Sequence, residues 1–433
     1  MKTDKLKLLA LSLIGLLTLS QSQAADFEPD TIYSRWIINS RMGDFRNKSA
    51  TTHFKTATTE RNIEWDYVPG LVAKAILMTW EYYQEEAWSA PFYNAVEDYA
   101  DHIEMRLGES NIDDLNAGKI YFELYRAAKA RGEDCKAATY KENVTICRNK
   151  LKYDHRRIES PLPGAGGFWH KKQYTNQMWL DGLYMGPALY AEWQGNFGLE
   201  EGETKNAQSW DDIAMQFDTI FAHTWDAKKK LNYHAWAAEP GNAASSHWAD
   251  PETGRSQEFW GRGEGWFFAA LVDVLEYMPK DHPARPRLIN YVNLVADGLA
   301  ARQDQQSGCW YQLLQYDNSL ASSCGVNNYL ESSASSMFTY AYFKGIRLGV
   351  LDSDTYKPVA LKAYKGLIDQ FVVEEPDGKI KIIQSCESAG LSSTRKGDAD
   401  YYLCGQDVMI NNITEGKVLG PFIMACLEFE KQK

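Results

Sequence analysis

Apolar residues recur at helical spacing along most of the chain. Leu288, Val292, Val295 and Leu299 follow one another at steps of four, three and four, which puts them on one face of a helix over 284–302. Similar amphipathic stretches lie near 71–84, 93–107, 117–131, 180–194, 211–225, 265–278, 333–348, 356–370 and 417–430. Loops rich in Gly, Pro, Ser and Asn separate them at 160–167, 239–256 and 317–328. Aromatic or β-branched stretches near 168–174, 231–237, 309–314 and 379–384 predict short β pieces. Helix and strand do not alternate as a parallel sheet requires, and no fixed-period repeat signals a solenoid. The pattern predicts an all-α chain of ten or more helices in hairpin succession. Such a chain closes into a toroid of two helix layers, with aromatic loops converging on a cavity at its mouth.

The first residues break this pattern. Lys2, Lys5 and Lys7 precede the apolar run 8–19, which is too short to span a bilayer comfortably. Ser22-Gln23-Ala24 then supplies small residues where a signal peptidase reads. Residues 1–24 are therefore expected to be a cleaved signal peptide, leaving 25–433 as a single, soluble domain in the periplasm or the medium. No later apolar run approaches the ~18 residues of a membrane span. The seven cysteines fit an oxidising compartment. Sequential pairing would join Cys135 to Cys147, Cys309 to Cys324 and Cys386 to Cys404, with Cys426 left over on an apolar stretch. Sequence leaves the connectivity open. No CxxC or Cys/His cluster points to zinc, and no metal or other cofactor is expected.

Composition narrows the partners. Asp and Glu number 58 against 46 Lys and Arg, a net charge of −12 that signal-peptide cleavage takes to −14. An acidic chain without a basic tract is poorly suited to nucleic acid or anionic lipid, though a local cationic pocket stays open. The 14 Trp, 25 Tyr and 17 Phe are enough for a large core and exclude a disordered chain or a small disulfide scaffold.

Four segments set polar groups among aromatics. In Asn111-Ile112-Asp113-Asp114 the acids precede an apolar helix, and they read either as a helix cap or as groups at the cavity mouth. Phe168-Trp169-His170-Lys171-Lys172 leads to Trp179-Leu180-Asp181, where Asp181 again reads as a cap or as chemistry. A carboxyl beside an indole is partly desolvated, which raises its pKa toward proton donation near neutral pH. His170 and Lys171 suit an acidic substrate. His234 lies between Tyr233 and Trp236 and reads as structural or as part of a pocket. In Trp260-Gly261-Arg262-Gly263-Glu264-Gly265-Trp266 an Arg between two indoles is a fork for a carboxylate with stacking walls. Indoles stack on sugars and carboxylates serve their hydroxyls, so the residues suggest carbohydrate chemistry.

These strings resemble glycoside hydrolase family 105, the unsaturated glycuronyl hydrolases, and more distantly family 88. The resemblance runs from about Trp65 to the C-terminus. It rests on Asp113 to Gly118, His170-Lys171, Asn176 to Met185 and Trp260 to Trp266, with Tyr329 to Met337, Cys386 to Leu391 and Gly420-Pro421-Phe422. It implies an (α/α)6 barrel that needs no metal. It also implies action on oligosaccharides whose non-reducing uronic acid carries a C4=C5 double bond. By resemblance Asp181 is the acid/base, and Asp113 is favoured over Asp114 as the second acid. Arg262, His170 and Lys171 would meet the uronate carboxylate. Trp179, Trp236, Trp260 and Trp266 would form stacking walls, with His234 a pocket residue. Pro69 stands where many members have Asn, so a polar contact there is expected to be missing. The Cys135–Cys147 insertion is peculiar to a subset and is placed on the leaving-sugar side. A conventional inverting glycosidase using Glu264 or Glu331 as base, and a sugar-binding protein, are the alternatives. The oligomeric state is not legible.

Overall fold

The computed structural model describes residues 23–25, 27–46 and 64–433. The signal-peptide segment lies outside the described residues, apart from Gln23 and Ala24, which pair antiparallel with Glu374 and Val373. Among the described residues fourteen α-helices carry the fold: α1 (Tyr33–Arg46), α2 (Tyr67–Tyr82), α3 (Ala90–His102), α4 (Ile120–Ala130), α5 (Asp134–Asn149), α6 (Leu180–Met185) and α7 (Pro187–Phe197). They continue with α8 (Glu203–Thr224), α9 (Gly261–Tyr277), α10 (Arg285–Ala300), α11 (Ser332–Arg347), α12 (Ser353–Phe371), α13 (Ala399–Cys404) and α14 (Gly416–Glu430).

The helices alternate between two layers. α2, α4, α6 with α7, α9, α11 and α14 form a closed inner ring in which the turn Ile112–Lys119 at the start of α4 bridges α2 to α6 and α7, and α14 returns to α2. α1, α3, α5, α8, α10 and α12 lie between them in sequence and form the outer layer. This is the all-α, (α/α)6 toroid expected from the sequence. Its physical basis is burial on one face or on all. Every residue of α14 is buried, as a helix surrounded by others requires. α10 instead buries the stripe Leu288, Val292, Val295 and Leu299 that its period foretold. The expected helix over 180–194 is split at Gly186, because Pro187 has no N–H to continue the ladder and begins α7 instead.

Short strands lie in the loops: those expected near 231–237 and 379–384 form, whereas 168–174 and 309–314 make only isolated bridges, and 177–179 and 372–374 were not expected. Gln177–Trp179 pairs antiparallel with Ala235–Ala237, and Val372–Glu374 with Ile380–Ile382.

Three helices were not foreseen, the short α13 among them. α1 had no predicted counterpart, and α5 occupies the stretch read as a polar loop between Cys135 and Cys147. Ala137, Tyr140, Val144 and Cys147 form its buried stripe, at steps of three, four and three. Both cysteines therefore sit on one helix, about 18 Å apart at 1.5 Å per residue, far beyond disulfide reach. The sequential pairing is corrected throughout. The disulfide joins Cys324 to Cys404, while Cys135, Cys147, Cys309, Cys386 and Cys426 are free. Cys309 is in the core against Gly366, and Cys426 is buried in α14 as expected.

Non-reducing peptide mapping is expected to find one cross-linked pair, Cys324 with Cys404. Cys324→Ser should lower the melting temperature, by the equivalent of about 2–4 kcal/mol. A Cys135–Cys147 cross-link would contradict the helix.

Candidate active site

The inner helices share one direction, so their N-terminal ends converge. There Tyr67 of α2, Asp113 ahead of α4, Asp181 of α6, Arg262 and Trp266 of α9 and Lys417 of α14 line a cavity of about 250 Å³. The C-terminal ends converge on a second cavity of about 290 Å³, lined by Lys74, Arg126, Glu192, Asp273, Lys344 and Arg347 among others. Most of its charges are paired, Lys74 with Glu123 and Glu192 at 2.5 and 2.8 Å and Lys344 with Asp273 and Glu276 at 2.7 Å each, while Lys119 donates to Tyr184 O. Tyr184 at the second cavity and Trp266 at the first pack ring against ring, with centroids 4.7 Å apart.

The strand pair 177–179 and 235–237 sets the wall of the first cavity. Side chains alternate across a strand. Trp179, opposite Ala235, faces the cavity, whereas Trp236, opposite Met178, faces away. Trp236 packs on His223, with centroids 3.7 Å apart, and its Nε1 donates to Thr253 O. It is not brought to the cavity and acts in packing. Trp179 stacks with His170 at 4.6 Å and Tyr174 at 4.5 Å. Trp260 and Trp266 also line the cavity.

Just past Trp179, Leu180 N donates to His234 O, which sets His234 beside Asp181. Asp181 is no helix cap: His234 Nε2 lies 3.1 Å from its Oδ2. His234 stands behind the carboxyl, fully buried, and its Nδ1 is 2.6 Å from the Tyr402 hydroxyl. A Cβ at Gly263 would lie 3.2 Å from His234 Cδ2, so the glycine lets the ring pack against the start of α9. Burial raises the pKa of Asp181, but the neighbouring His234, its hydrogen bond, His170 and a backbone hydrogen bond together lower it by more, so the carboxyl sits below its ordinary value. The expected rise from indole desolvation is thus outweighed, chiefly by His234, which the sequence named as a pocket residue but not as a partner of Asp181.

Asp113 borders the cavity, with Lys171 Nζ 2.6 Å and His170 Nε2 3.7 Å away. Asp114 instead accepts from Gly108 N and Asn111 Nδ2 at 2.8 and 2.6 Å, holding its own loop, and burial lifts its pKa to about 6. Burial also pushes His170 down to about 4, so it is a neutral ring near neutral pH. Arg262 lines the cavity but is already engaged. Its Nη1 donates to Cys386 O at 2.7 Å and its Nη2 to Glu387 O at 3.2 Å. It braces the 386–390 loop as well as facing the cavity.

Glu264 and Glu331, the bases nominated for an inverting mechanism, are both consumed elsewhere. Glu264 accepts from Asn232 N and Nδ2 at 2.9 Å each, and Glu331 caps α11 through Ser333 N and Ala334 N. Neither lines the cavity.

Sequence reasoning assigned no role to Tyr67, Tyr174, Met185, Ser388-Ala389-Gly390, Arg395 or Lys417, all of which line it. The 388–390 loop lies inside the Cys386–Leu391 string and Lys417 three residues before Gly420, so the strings were visible but their inward faces were not.

Comparison with known proteins fits this geometry. The family described as Glycosyl Hydrolase Family 88 matches residues 38–433. A family 105 glycoside hydrolase of Clostridium acetobutylicum is 32% identical, covering 93% of this chain and 100% of its own, with a TM-score of 0.73. The chain is a glycoside hydrolase of the family 88 and 105 group. This hydrolase is also 23% identical over 335 residues to the unsaturated rhamnogalacturonyl hydrolase YesR of Bacillus subtilis, covering 76% of this chain and 81% of that one. An unsaturated 3S-rhamnoglycuronyl hydrolase of an Alteromonas species is 30% identical over 152 residues, 35% of this chain and 33% of its own.

Replacing Trp179 by Ala is expected to raise KM about tenfold, roughly the loss of one aromatic contact worth ~1.5 kcal/mol. Trp236→Phe should leave KM within about twofold and lower only the melting temperature. Equal effects of the two on KM would contradict the assigned faces.

Proposed function

We propose that this hydrolase removes a 4,5-unsaturated uronic acid from the non-reducing end of lyase-generated oligosaccharides, rhamnogalacturonan-type fragments first among them. One observation carries the reading: four basic side chains, Lys171, Arg262, Arg395 and Lys417, line the cavity with two acids, Asp113 and Asp181, in a chain of net charge −12, while Asp407 and Glu415 pair Arg395 and Lys417 from outside the lining. The N-terminal ends of the inner helices add their own positive potential. Cations at those ends oppose the dipole preference, and an anionic ligand such as a uronate relieves them. The names of the Bacillus and Alteromonas relatives support the same substrate class.

The chemistry follows from the C4=C5 bond, which is a vinyl ether because C5 carries the ring oxygen. Asp181 gives its proton to C4, and the positive charge develops at C5, where the ring oxygen shares it. Asp181 then takes a proton from water as that water adds to C5. The resulting hemiketal opens and the glycosidic bond separates. The lowered pKa of Asp181 reflects its protein neighbours alone. A uronate carboxylate beside it disfavours the charged form and shifts the carboxyl toward its acid state. Asp113, held by Lys171, positions water or ring hydroxyls. Trp179, Trp260 and Trp266 are the stacking walls. The proposal includes export: residues 1–24 serve as a signal peptide and the mature enzyme meets its substrate outside the cytoplasm.

Lyase-made disaccharides should lose the ultraviolet absorbance of their conjugated double bond when the enzyme is added. Asp181→Asn should slow that loss by about a thousandfold, within the range of general acid catalysis. Persistent absorbance across pectin, rhamnogalacturonan, arabinogalactan, ulvan and glycosaminoglycan fragments would overturn the activity, and undiminished turnover by Asp181→Asn the mechanism. Preferential cleavage of the saturated counterparts would favour a conventional glycosidase. Terminal sequencing of the exported protein is expected to begin at Ala25, and recovery with Met1 intact would contradict export by cleavage.

A further inference from the structure

Behind Asp181 lies a second group that no cavity-facing motif announces. Tyr402, on α13, is fully buried, and its hydroxyl is 2.6 Å from His234 Nδ1. His234 Nε2 is in turn 3.1 Å from Asp181 Oδ2. The three groups form a line running from the outer loops to the cavity wall. α13 is fixed at both ends, by the Asp398 cap on Tyr401 N and by the disulfide at Cys404.

We propose that Tyr402 is a positioning residue for the acid, acting by keeping a hydrogen on His234 Nε2, directed at Asp181. A hydroxyl both donates and accepts. It accepts from Nδ1–H when the imidazole is charged and donates to Nδ1 when the ring is neutral. In either state Nε2 bears the hydrogen, Asp181 Oδ2 receives it, and the carboxyl's own proton resides on Oδ1. Without the hydroxyl, the neutral ring is free to keep its single hydrogen on Nδ1. Nε2 then presents a lone pair to Asp181, and the carboxyl proton is drawn onto Oδ2, toward His234 rather than toward substrate. The other titratable groups facing this line are His170, Tyr401, Glu258 and Cys386, with Asp113 and Lys171 reaching it through His170. None of them bonds His234 Nδ1.

This inference rests on Asp181 being the acid of the proposed reaction, and its test separates the two. Tyr402→Phe is expected to lower kcat about 10- to 100-fold with KM within about twofold, and to move the basic limb of the kcat/KM profile to higher pH. The shift is upward because a proton shared between Oδ2 and Nε2 is harder to remove. Nitrogen-15 spectra of the wild-type protein, which need neither substrate nor a variant, should show His234 hydrogenated at Nε2 across the pH range of activity. In Tyr402→Phe the hydrogen should move to Nδ1 at neutral pH, with the melting temperature reported alongside. A wild-type His234 carrying its hydrogen on Nδ1 alone would overturn the proposal. So would a loss of kcat in Tyr402→Phe with an unmoved pH limb and unchanged nitrogen shifts, which would mark mere packing. If the wild-type protein leaves every unsaturated substrate intact, the functional reading fails while the nitrogen spectra still decide the tautomer.

Discussion

The inner helices run in one direction around the ring, and both ends of the molecule follow from that polarity. Aligned peptide dipoles leave positive potential where N-termini gather and negative potential where C-termini gather. At the C-terminal end, Arg126, Lys344 and Arg347 meet the negative ends and are paired with Glu81, Asp273, Glu276 and Glu428. Of the described basic groups lining that end, Lys119 alone has a backbone carbonyl rather than a carboxylate as its partner. At the N-terminal end, Lys171, Arg395 and Lys417 are paired with Asp113, Asp407 and Glu415, yet with Arg262 they place four cations at helix ends that are already positive. Such an arrangement costs stability and favours an anion within the cavity, a conflict between local preference and global fold of the sort that marks functional sites.

Within that field the site needs precise support. Arg262 and Glu331 both hold the 386–390 loop, Arg262 through the carbonyls of Cys386 and Glu387 and Glu331 through Cys386 N at 2.9 Å. Buried charges of this kind are tolerable because each is hydrogen-bonded. Close packing does the rest. His170 Nδ1 would lie 3.1 Å from a Cβ at Gly182, so α6 carries Asp181 to its place only because Gly182 leaves room for that ring.

Much of this was legible in the chain. The stripe of α10 and the Trp260–Trp266 string point to their real surroundings because periodicity and glycine spacing act locally. The errors have local causes as well. Cysteines bracketing a polar stretch looked like a loop, although Ala137, Tyr140, Val144 and Cys147 repeat at helical steps. Trp236 stands two residues from His234, but a strand turns successive side chains to opposite faces, so nearness in sequence placed it on the wrong side. Asp113 and Asp114 are adjacent in sequence, yet one borders the cavity and the other ties down its loop through Gly108 and Asn111.

The sequence by itself determined the helical hairpin succession, the family resemblance and the identity of Asp181, His170, Arg262 and the indoles around them. Only the tertiary structure decided that His234 and Tyr402 stand behind Asp181, that Arg395 and Lys417 join the wall, that Cys324 pairs with Cys404, and that the pKa of Asp181 goes down rather than up. The reason is the closure of the ring. Helical period and cap chemistry are written within a few residues, whereas the cavity is assembled from helix ends between Tyr67 and Lys417, and the field at any one carboxyl is set by groups brought to it only when the last inner helix meets the first.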